Sequence, residues 1–485
     1  MRATNPKTCV LMSVLLVGAL CISAVGKTIY VDDDGPADFN NIQAAIDDSN
    51  DGDTVIISTG TYTGDGNRDI NFKGKAITVR SSDPKDPAVV ARTIIDCEAR
   101  GRGFNFHSNE GPDSVLAGLT ITNGAAKDGS GIFIRGSSPT VKHCNITGNS
   151  WDGEYGFGGG LHIKDGFPVI SHCTISDNST NWNGGGIFSN DSSPTIINCT
   201  IISNRAFNEG AGICCWDGTP LISNCVIKDN TTRRRRAGGI ACRRSNLTIT
   251  NCIIADNIAG DTGGGLWLYG ANTEINQCTI TGNSSEYIGG GVHFQLGNAT
   301  LINCILENNY APNGPEIGVN SWSGSISGRR PDPTEPYPVS FLTISYSNVK
   351  GDQNEVYVYN QPGWFLLNWE DSNIDAEPLF AGPNNGDYHL RSQAGRWDPN
   401  SQSWVQDVVT SPCIDAGDMS SPIGFEPFPN GGIINMGAYG GTAEASKSYF
   451  GEPVCETIIA GDINGDCKVD FKDFVIMAAH WLEKR

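Results

Sequence analysis

After its first 26 residues this 485-residue chain has no apolar run of about 18 residues, the length at which a helix crosses a bilayer. It also has no long amphipathic stretch, which excludes helical repeat architectures of about 33 to 47 residues per unit. Positive charge is scarce: 33 lysines and arginines stand against 53 aspartates and glutamates, a net charge of −20. That balance favours solubility and a calcium-rich exterior, and it argues against nucleic acid as a partner. The first 26 residues differ. Arg2 and Lys7 precede an apolar stretch from Cys9 to Val25, and Ala24-Val25-Gly26 offers small residues for cleavage before Lys27. This is the pattern of a secretory leader, so the expectation is an exported, monomeric chain with no transmembrane segment once the leader is removed. Gly18-Ala19-Leu20-Cys21 makes a poor lipoprotein box. Removal of Arg2 and Lys7 leaves the mature chain more acidic still.

What the chain has in quantity is glycine, 60 residues of it, and a phrase that recurs seven times. Gly131, Gly160, Gly186, Gly212, Gly239, Gly265 and Gly291 are each followed by an aliphatic residue. Thirteen residues after each glycine come Cys144, Cys173, Cys199, Cys225, Cys252, Cys278 and Cys304. Five residues later come Asn149, Asn178, Asn204, Asn230, Asn257, Asn283 and Asn309. The repeat is 26, 27 or 29 residues long, and every insertion falls between an Asn and the next Gly. A fixed period with variation confined to one place marks a solenoid. Within each repeat, short β-branched runs such as Pro194-Thr195-Ile196-Ile197 and Cys199-Thr200-Ile201 alternate with polar or Gly-rich breaks. About 26 residues suits one coil of three short strands and three turns, with successive coils hydrogen-bonded in parallel at about 4.8 Å.

In that geometry Ile175, Ile201, Ile227, Ile254, Ile280 and Leu306, each two residues after a repeat cysteine, form a buried aliphatic stack. The cysteines stack beside it. In-register neighbours about 4.8 Å apart at Cβ are wider than the roughly 3.8 Å a disulfide prefers, so the column is expected to hold free buried thiols. The asparagines fall where a strand ends and are expected to form an internal amide ladder. Several of them create Asn-x-Ser/Thr sequons, discounted because buried ladder residues are poor glycan acceptors.

This pattern resembles the right-handed parallel β-helix proteins of the pectate-lyase-like superfamily, over roughly residues 27 to 450. At the start, Thr28-Ile29-Tyr30-Val31, the segment from Asp38-Phe39 to Ile46, and Gly52-Asp53-Thr54-Val55-Ile56-Ile57 are similar to that family's entry segment. Phe39, Ile42, Ala45 and Ile46 share one helical face behind the N-cap candidate Asp38, so this helix is expected to plug the open end of the core. Near the far end, Asn373-Ile374-Asp375-Ala376-Glu377-Pro378-Leu379-Phe380, Asp387-Tyr388-His389-Leu390 and Ser411-Pro412-Cys413-Ile414-Asp415-Ala416-Gly417 resemble the closing segment of secreted bacterial β-helix proteins. The fold class implied is all-β, a parallel β-helix solenoid. It divides into the leader (1–26), an N-terminal cap with the first coils (27–118), regular coils (119–310), irregular coils and loops (311–450) and a terminal segment (451–485). Pro331 to Pro338 reads as a surface loop between coils, and Val339 to Val349 as strand.

In the terminal segment, Asp462, Asn464, Asp466, Asp470 and Asp473 place oxygen ligands at loop positions 1, 3, 5, 9 and 12, with the carbonyl of Lys468 at position 7. A helix from Phe471 to Leu482 follows, with Phe471, Phe474, Val475, Ala478 and Leu482 on one side. The segment resembles one half of a type I dockerin, the module that docks enzymes onto cohesin scaffolds, and the resemblance implies bound calcium (Ca2+). It departs from that family twice. One loop is present where a dockerin has two, and position 6, normally Gly, is Cys467. A disulfide from Cys467 to Cys455 would hold that turn outside the cell. The partner expected is a cohesin-like or other cell-surface anchor.

Two and four residues after each repeat glycine, side chains point outward: Phe133 and Arg135, His162 and Lys164, Phe188 and Asn190, Cys214 and Trp216, Ala241 and Arg243, Trp267 and Tyr269, His293 and Gln295. Aromatics stacked with imidazoles and cations are the inventory for gripping sugar rings and anionic groups, unless a flanking loop covers them. One position further, Asp165, Asp191 and Asp217 fall on three consecutive coils, followed by Arg244. Carboxylates about 4.8 Å apart repel unless a cation or proton intervenes. Such a column would hold calcium and a polyuronate while Arg243 or Lys164 abstracts the proton α to the carboxylate. The same aspartates precede Gly-Phe-Pro, Ser-Ser-Pro and Gly-Thr-Pro, and are equally good turn residues. Hydrolysis needs a carboxylate pair flanking the bond. The outward strand positions hold none, which leaves Asp191 with Asp217, or the loop acids Glu154 and Glu209.

The variable loops add Trp151, Tyr155, Phe157, Trp182, Phe207 and Tyr287 along the same edge. Arg233-Arg234-Arg235-Arg236 with Arg243 and Arg244 makes an island of positive potential in an acidic chain. The expectation is a protein that binds and degrades an acidic polysaccharide by β-elimination. Asp165, Asp191, Asp217, Arg243 and Lys164 would carry the chemistry. His162, Phe188, Trp216, Trp267, Tyr269, His293, Arg244 and Arg233 would touch substrate. The alternatives are a glycoside hydrolase on the same scaffold and a non-catalytic adhesin or glycan-binding protein.

Overall fold

In the computed structural model, residues 26–320, 339–359, 365–450, 461, 463 and 469–482 are described. The leader up to residue 25, the Pro331–Pro338 insertion, and Cys455 and Cys467 with their expected disulfide lie outside the described residues. The chain winds into an all-β parallel solenoid of about 12 turns, with about 26 residues per turn. A representative coil contributes the strands Ile187–Asn190, Thr195–Ile197 and Thr200–Ile202, and a short fourth, Arg205–Ala206. Copies pair in parallel and in register: Ile187 lies beside Leu161 and Ile213, and Ile201 beside Ile175 and Ile227. The pleat turns alternate side chains inward, and the whole aliphatic column from Ile175 to Leu306 is buried. The cysteine column is buried and free. Its thiols face backbone oxygens, as where Cys225 Sγ lies 3.2 Å from the Ser223 carbonyl and 3.6 Å from that of Ile196.

The repeat glycine is required by space. A Cβ on Gly186 would sit 2.6 Å from the Gly212 carbonyl oxygen and 3.1 Å from Asn204 Nδ2. That neighbour belongs to the amide ladder, which forms as expected and is buried from Asn149 to Asn309. Each Asn donates its backbone N–H and one Nδ2 hydrogen to the next Oδ1; for Asn204 and Asn230 both distances are 3.0 Å. The other Nδ2 hydrogen goes to a strand carbonyl, from Asn204 to Ile175 at 2.8 Å. The ladder ends on Glu316, whose Oε1 accepts the Asn309 N–H at 3.2 Å and whose Oε2 accepts from Asn309 Nδ2. Burial raises the Glu316 carboxyl to about 8.

The N-terminal plug is the helix Ile42–Asp48, with Ile42, Ala45 and Ile46 buried and Phe39 packed partly buried against the same core. Its cap is Asn41, whose Oδ1 accepts the Ala44 N–H at 2.9 Å, and not Asp38. Phe39 bridges in parallel to Val31, which holds this segment outside the helix. Asp38 accepts the Tyr30 N–H at 2.9 Å instead. At the other end, Val339 to Val349 supplies the strands Ser340–Ser345 and Asn348–Val349. The chain then returns along the outside of the coil. Phe380, Tyr388, Leu390, Cys413, Met436 and Ala438 pack on Ile253, Ala255 and Ile305. Asn251 Nδ2 donates to the carbonyls of Ala438 and Gly440, at 3.1 and 2.8 Å.

Candidate functional site

The pleat sends the expected side chains outward, but another column of the same chain covers most of them. Asp128, Phe157, Asn183, Glu209 and Arg236, each three residues before a repeat glycine, bridge in parallel from coil to coil. The Phe157 ring lies 4.8 Å from Phe188, 5.9 Å from His162 and 6.4 Å from Trp216, centroid to centroid. The Arg236 guanidinium sits 4.4 Å from the centre of the Trp267 ring. Phe188, Cys214, Ala241, Trp267 and Tyr269 therefore form an apolar cluster with Ala237 outside the main core. His293 is buried with neither ring nitrogen hydrogen-bonded, and burial lowers it to about 3, so it is neutral. With His162, Phe188, Trp267, Tyr269 and His293 all buried, the expected ligand track along seven coils is corrected to a cleft over the first of them.

That cleft encloses about 420 Å³. Phe133, Phe157, Phe188 and Trp216 give it an aromatic lining. His162 is held in it between Asp128, with Nδ1 3.5 Å from Oδ1, and Asn190, with Nε2 3.0 Å from Oδ1. The His162 ring beside it lowers the Asp128 carboxyl below the usual range. Lys127, Arg135 and Lys164 supply the charge. Arg135 and Lys164 are directly paired on adjacent strands. Among the described residues none of these three cations has an ion-pair partner. Arg243 lies farther along, its guanidinium 5.3 Å from the Trp216 ring centre and 5.8 Å from that of Tyr269.

Asp165, Asp191 and Asp217 do not join the cleft lining. Each is a left-handed turn residue, at φ 54°, 50° and 57°, as is Arg244 at 50°, the conformation that Asp and Asn tolerate better than most. Arg244 takes up Asp217 in a bidentate pair, at 3.0 and 2.9 Å, and holds that carboxyl below its usual range. Among the described residues, the one group of three acidic, His or Cys side chains close enough to share a metal ion is Asp32, Asp33 and Asp34. Asp165, Asp191 and Asp217 do not converge on one point: they hold the same turn position on consecutive coils, where the Asp165 N–H donates to the Asn190 carbonyl at 3.4 Å and the Asp191 N–H to the Trp216 carbonyl at 2.9 Å. Nor do Glu154 and Glu209 make an open pair, because Glu209 is buried with Oε1 3.5 Å from Arg236 while Glu154 is exposed. Arg233 lines a different groove, of about 540 Å³, along the short fourth strands. Lys127 and Asp128 were not among the expected site residues. Their signal was position, since Asp128 heads the column three residues before each repeat glycine.

The family described as right handed beta helix region matches residues 29–221 and 180–328. The chain belongs to that family. A second family, described as disaggregatase related, matches residues 347–417. No curated protein matches the chain. Among solved structures, pectate lyase Pel9A is similar at 13% identity and a TM-score of 0.45, covering 86% of this chain and 96% of its own. A mutant of the PL6 family alginate lyase AlyGC is similar at 13% identity and a TM-score of 0.40, covering 82% of this chain and 59% of its own.

In this right handed beta helix protein the terminal segment is described only in part. Asp462, Asn464, Asp466 and Lys468 lie outside the described residues. The helix Phe471–Leu482 starts where the sequence placed it. Asp470 Oδ1 accepts the Lys472 N–H at 2.7 Å, and Asp473 Oδ2 accepts the Asp470 N–H at 2.7 Å, a reciprocal cap. Asp473 Oδ1 reaches back to the Ile463 N–H at 2.6 Å. The two aspartates thus tie the helix start to the loop, and the donor set is of the hard oxygen type that calcium takes.

Proposed function

We propose that this protein binds an acidic polysaccharide in the cleft between Lys127 and Trp216 and cleaves it by β-elimination. The observation that carries the reading is the Arg135–Lys164 pair: two cations on adjacent strands in an aromatic-lined cleft, neither with an ion-pair partner among the described residues. Like charges directly opposite on a sheet are destabilising, and an anionic ligand relieves the repulsion. The aromatic rings offer faces for sugar rings. Arg135 pairs with the uronate carboxylate through its planar fork, which acidifies the adjacent C–H. Lys164, its ammonium having first given a proton to solvent beside the Arg135 charge, takes the C–H proton as a neutral amine; the electron pair forms a carbon–carbon double bond, the β carbon–oxygen bond breaks, and the leaving oxygen is protonated from solvent. Arg243, behind Trp216, extends the positive surface toward the next sugar.

The test is incubation of the mature protein with polygalacturonate, alginate and sulfated glycans, reading ultraviolet absorbance from unsaturated ends and new reducing ends. Activity on one polyanion, abolished in Lys164→Ala and Arg135→Ala, is the expected result; no new ends on any polymer overturns cleavage. A binding-only role is the second reading, favoured by the absence of Asp165, Asp191 and Asp217 from the cleft lining and the capture of Asp217 by Arg244.

We further infer export through the N-terminal leader, a calcium ion in the loop from Asp462 to Asp473, and attachment of the chain to an extracellular, cohesin-like partner. Ligand spacing supports the calcium, and the exposed Phe471, Phe474 and Val475 on the following helix support the attachment. Titration of Ca2+ into the chain and into Asp462→Ala/Asp466→Ala tests the ion. A secreted product whose mass begins at Lys27 tests the leader.

A further inference from the structure

We propose that the groove on the short fourth strands is a second binding site for an acidic glycan chain, separate from the cleft. The inference rests on the reading that the partner is an acidic glycan. Its floor is a four-coil ladder, in which Ser150–Trp151, Ser179–Thr180, Arg205–Ala206 and Thr231–Thr232 pair in register. Three inter-coil steps of about 4.8 Å give a length of about 14 Å, enough for several linked sugars rather than one small ion. The enclosed space is about 540 Å³.

The side chains in it form a recognition set. Trp151 stands half-buried on the first of these strands, and Phe207, also half-buried, lies two coils along with the Arg234 guanidinium 6.0 Å from its ring centre. Arg205 and Arg233 are exposed and have no ion-pair partner among the described residues. Two rings two coils apart, with guanidinium groups beside and beyond the second, match a chain of sugar rings bearing carboxylates or sulfates, because guanidinium binds both groups bidentately. The Thr180 hydroxyl, in the same floor, is buried with no hydrogen-bond partner in the protein. In a chain of net charge −20, two arginines lining one groove with a third beside its Phe207 ring are not a general solvated surface.

The repeat itself shows why the groove and the cleft belong to one apparatus. The coil from Gly131 to Gly160 is the 29-residue one, and its extra residues lie between Asn149 and Gly160. Of that loop, Trp151 and Asp152 line the groove while Phe157 lines the cleft. The longest of the repeat Asn-to-Gly loops therefore furnishes a wall to each of the two clefts. A polymer held in the groove is kept at high local concentration beside the cleft, which strengthens overall binding with no new contact at the cleft.

Affinity electrophoresis through gels containing polygalacturonate, alginate, dextran sulfate or neutral dextran tests this on the full chain. Four forms are compared: wild type, Arg205→Gln/Arg233→Gln, Trp151→Ala, and the cleft variant Arg135→Gln/Lys164→Gln. Lys85→Gln/Arg92→Gln, exposed and flanking the short helix Pro87–Val90 on another side of the coil, reproduces the same charge change. Groove variants are expected to bind one of the acidic polymers about tenfold more weakly, the size of one lost charge-assisted contact. Trp151→Phe should restore most of the binding lost in Trp151→Ala, and circular dichroism confirms that each variant is folded. Retardation of both groove variants equal to wild type overturns the groove, whatever the cleft variant does. Equal losses in the remote charge control also overturn it, since they reveal ion exchange. Loss in the groove variants alone leaves the groove standing and removes the cleft reading. Preference for carboxylated over sulfated polymer, or the reverse, identifies the anionic group.

Discussion

Replacing Asn230 by alanine cuts the buried ladder at a middle rung, and the cost follows from its bonds. Through the side chain, four hydrogen bonds disappear: two accepted from Asn204, and two donated, to the Ile201 carbonyl at 2.9 Å and Asn257 Oδ1 at 3.0 Å. Asn257 Oδ1 keeps the Asn230 backbone N–H at 3.0 Å, and Asn204 Nδ2 keeps the Ile175 carbonyl at 2.8 Å. The Asn204 backbone N–H loses this acceptor inside a fully buried turn. One stranded amide costs about 1–3 kcal/mol and each of the three other lost bonds about 1 kcal/mol, so the total comes to about 4–6 kcal/mol. Because a solenoid is held by nearest-neighbour interfaces, the loss is concentrated where the coils on either side meet. Urea unfolding followed by circular dichroism measures it, with the exposed turn residue Asn224→Gly as a control expected within about 0.5 kcal/mol of wild type. Hydrogen exchange at the Asn204 amide should accelerate at the same time. A change of under about 1 kcal/mol, or an unaltered Asn204 exchange rate, would refute the reasoning, since water would then be replacing the lost partners.

Glu316 makes the end of the ladder sensitive to pH. Its carboxyl rises to about 8 in the fold, against about 4.3 when unfolded, so stability present below about pH 4.3 is lost as pH climbs toward about 8. Glu316→Gln removes that contribution, and a Tm that still falls as steeply as in wild type across this window contradicts it. The twelve described cysteines are buried and free, and burial pushes Cys97, Cys242 and Cys413 up to about 12. In a leaderless Cys455→Ser/Cys467→Ser chain, a thiol reagent should therefore react only after denaturation, and rapid labelling of the native protein would count against the packed thiol column. The Asp217–Arg244 pair is largely exposed, so Arg244→Gln should cost less than about 1 kcal/mol; a loss of several kcal/mol by thermal melting would mean that this turn carries the coil.

The sequence by itself determined the solenoid, its period, the buried aliphatic, cysteine and asparagine columns, and which side chains leave each strand outward. Those follow from local alternation and a constant Gly-to-Asn spacing, because in-register stacking turns each repeat position into a column. The helix Phe471–Leu482 was legible for the same reason, its cap and spacing being local. Asp38 misled as a cap because the Phe39–Val31 bridge is a contact between separate segments. Only the tertiary structure decided which outward residues meet solvent. Trp267 and His293 lie beneath a column that begins at Asp128, three residues before a repeat glycine, and alternation along a strand carries no information about what lies above it. Likewise the αL turns that keep Asp165, Asp191 and Asp217 out of the cleft, and the pairing of Asp217 with Arg244, depend on how each corner bends and which coil neighbours it. The position of a column is set along the chain, while its exposure is set by chain segments that fold over it.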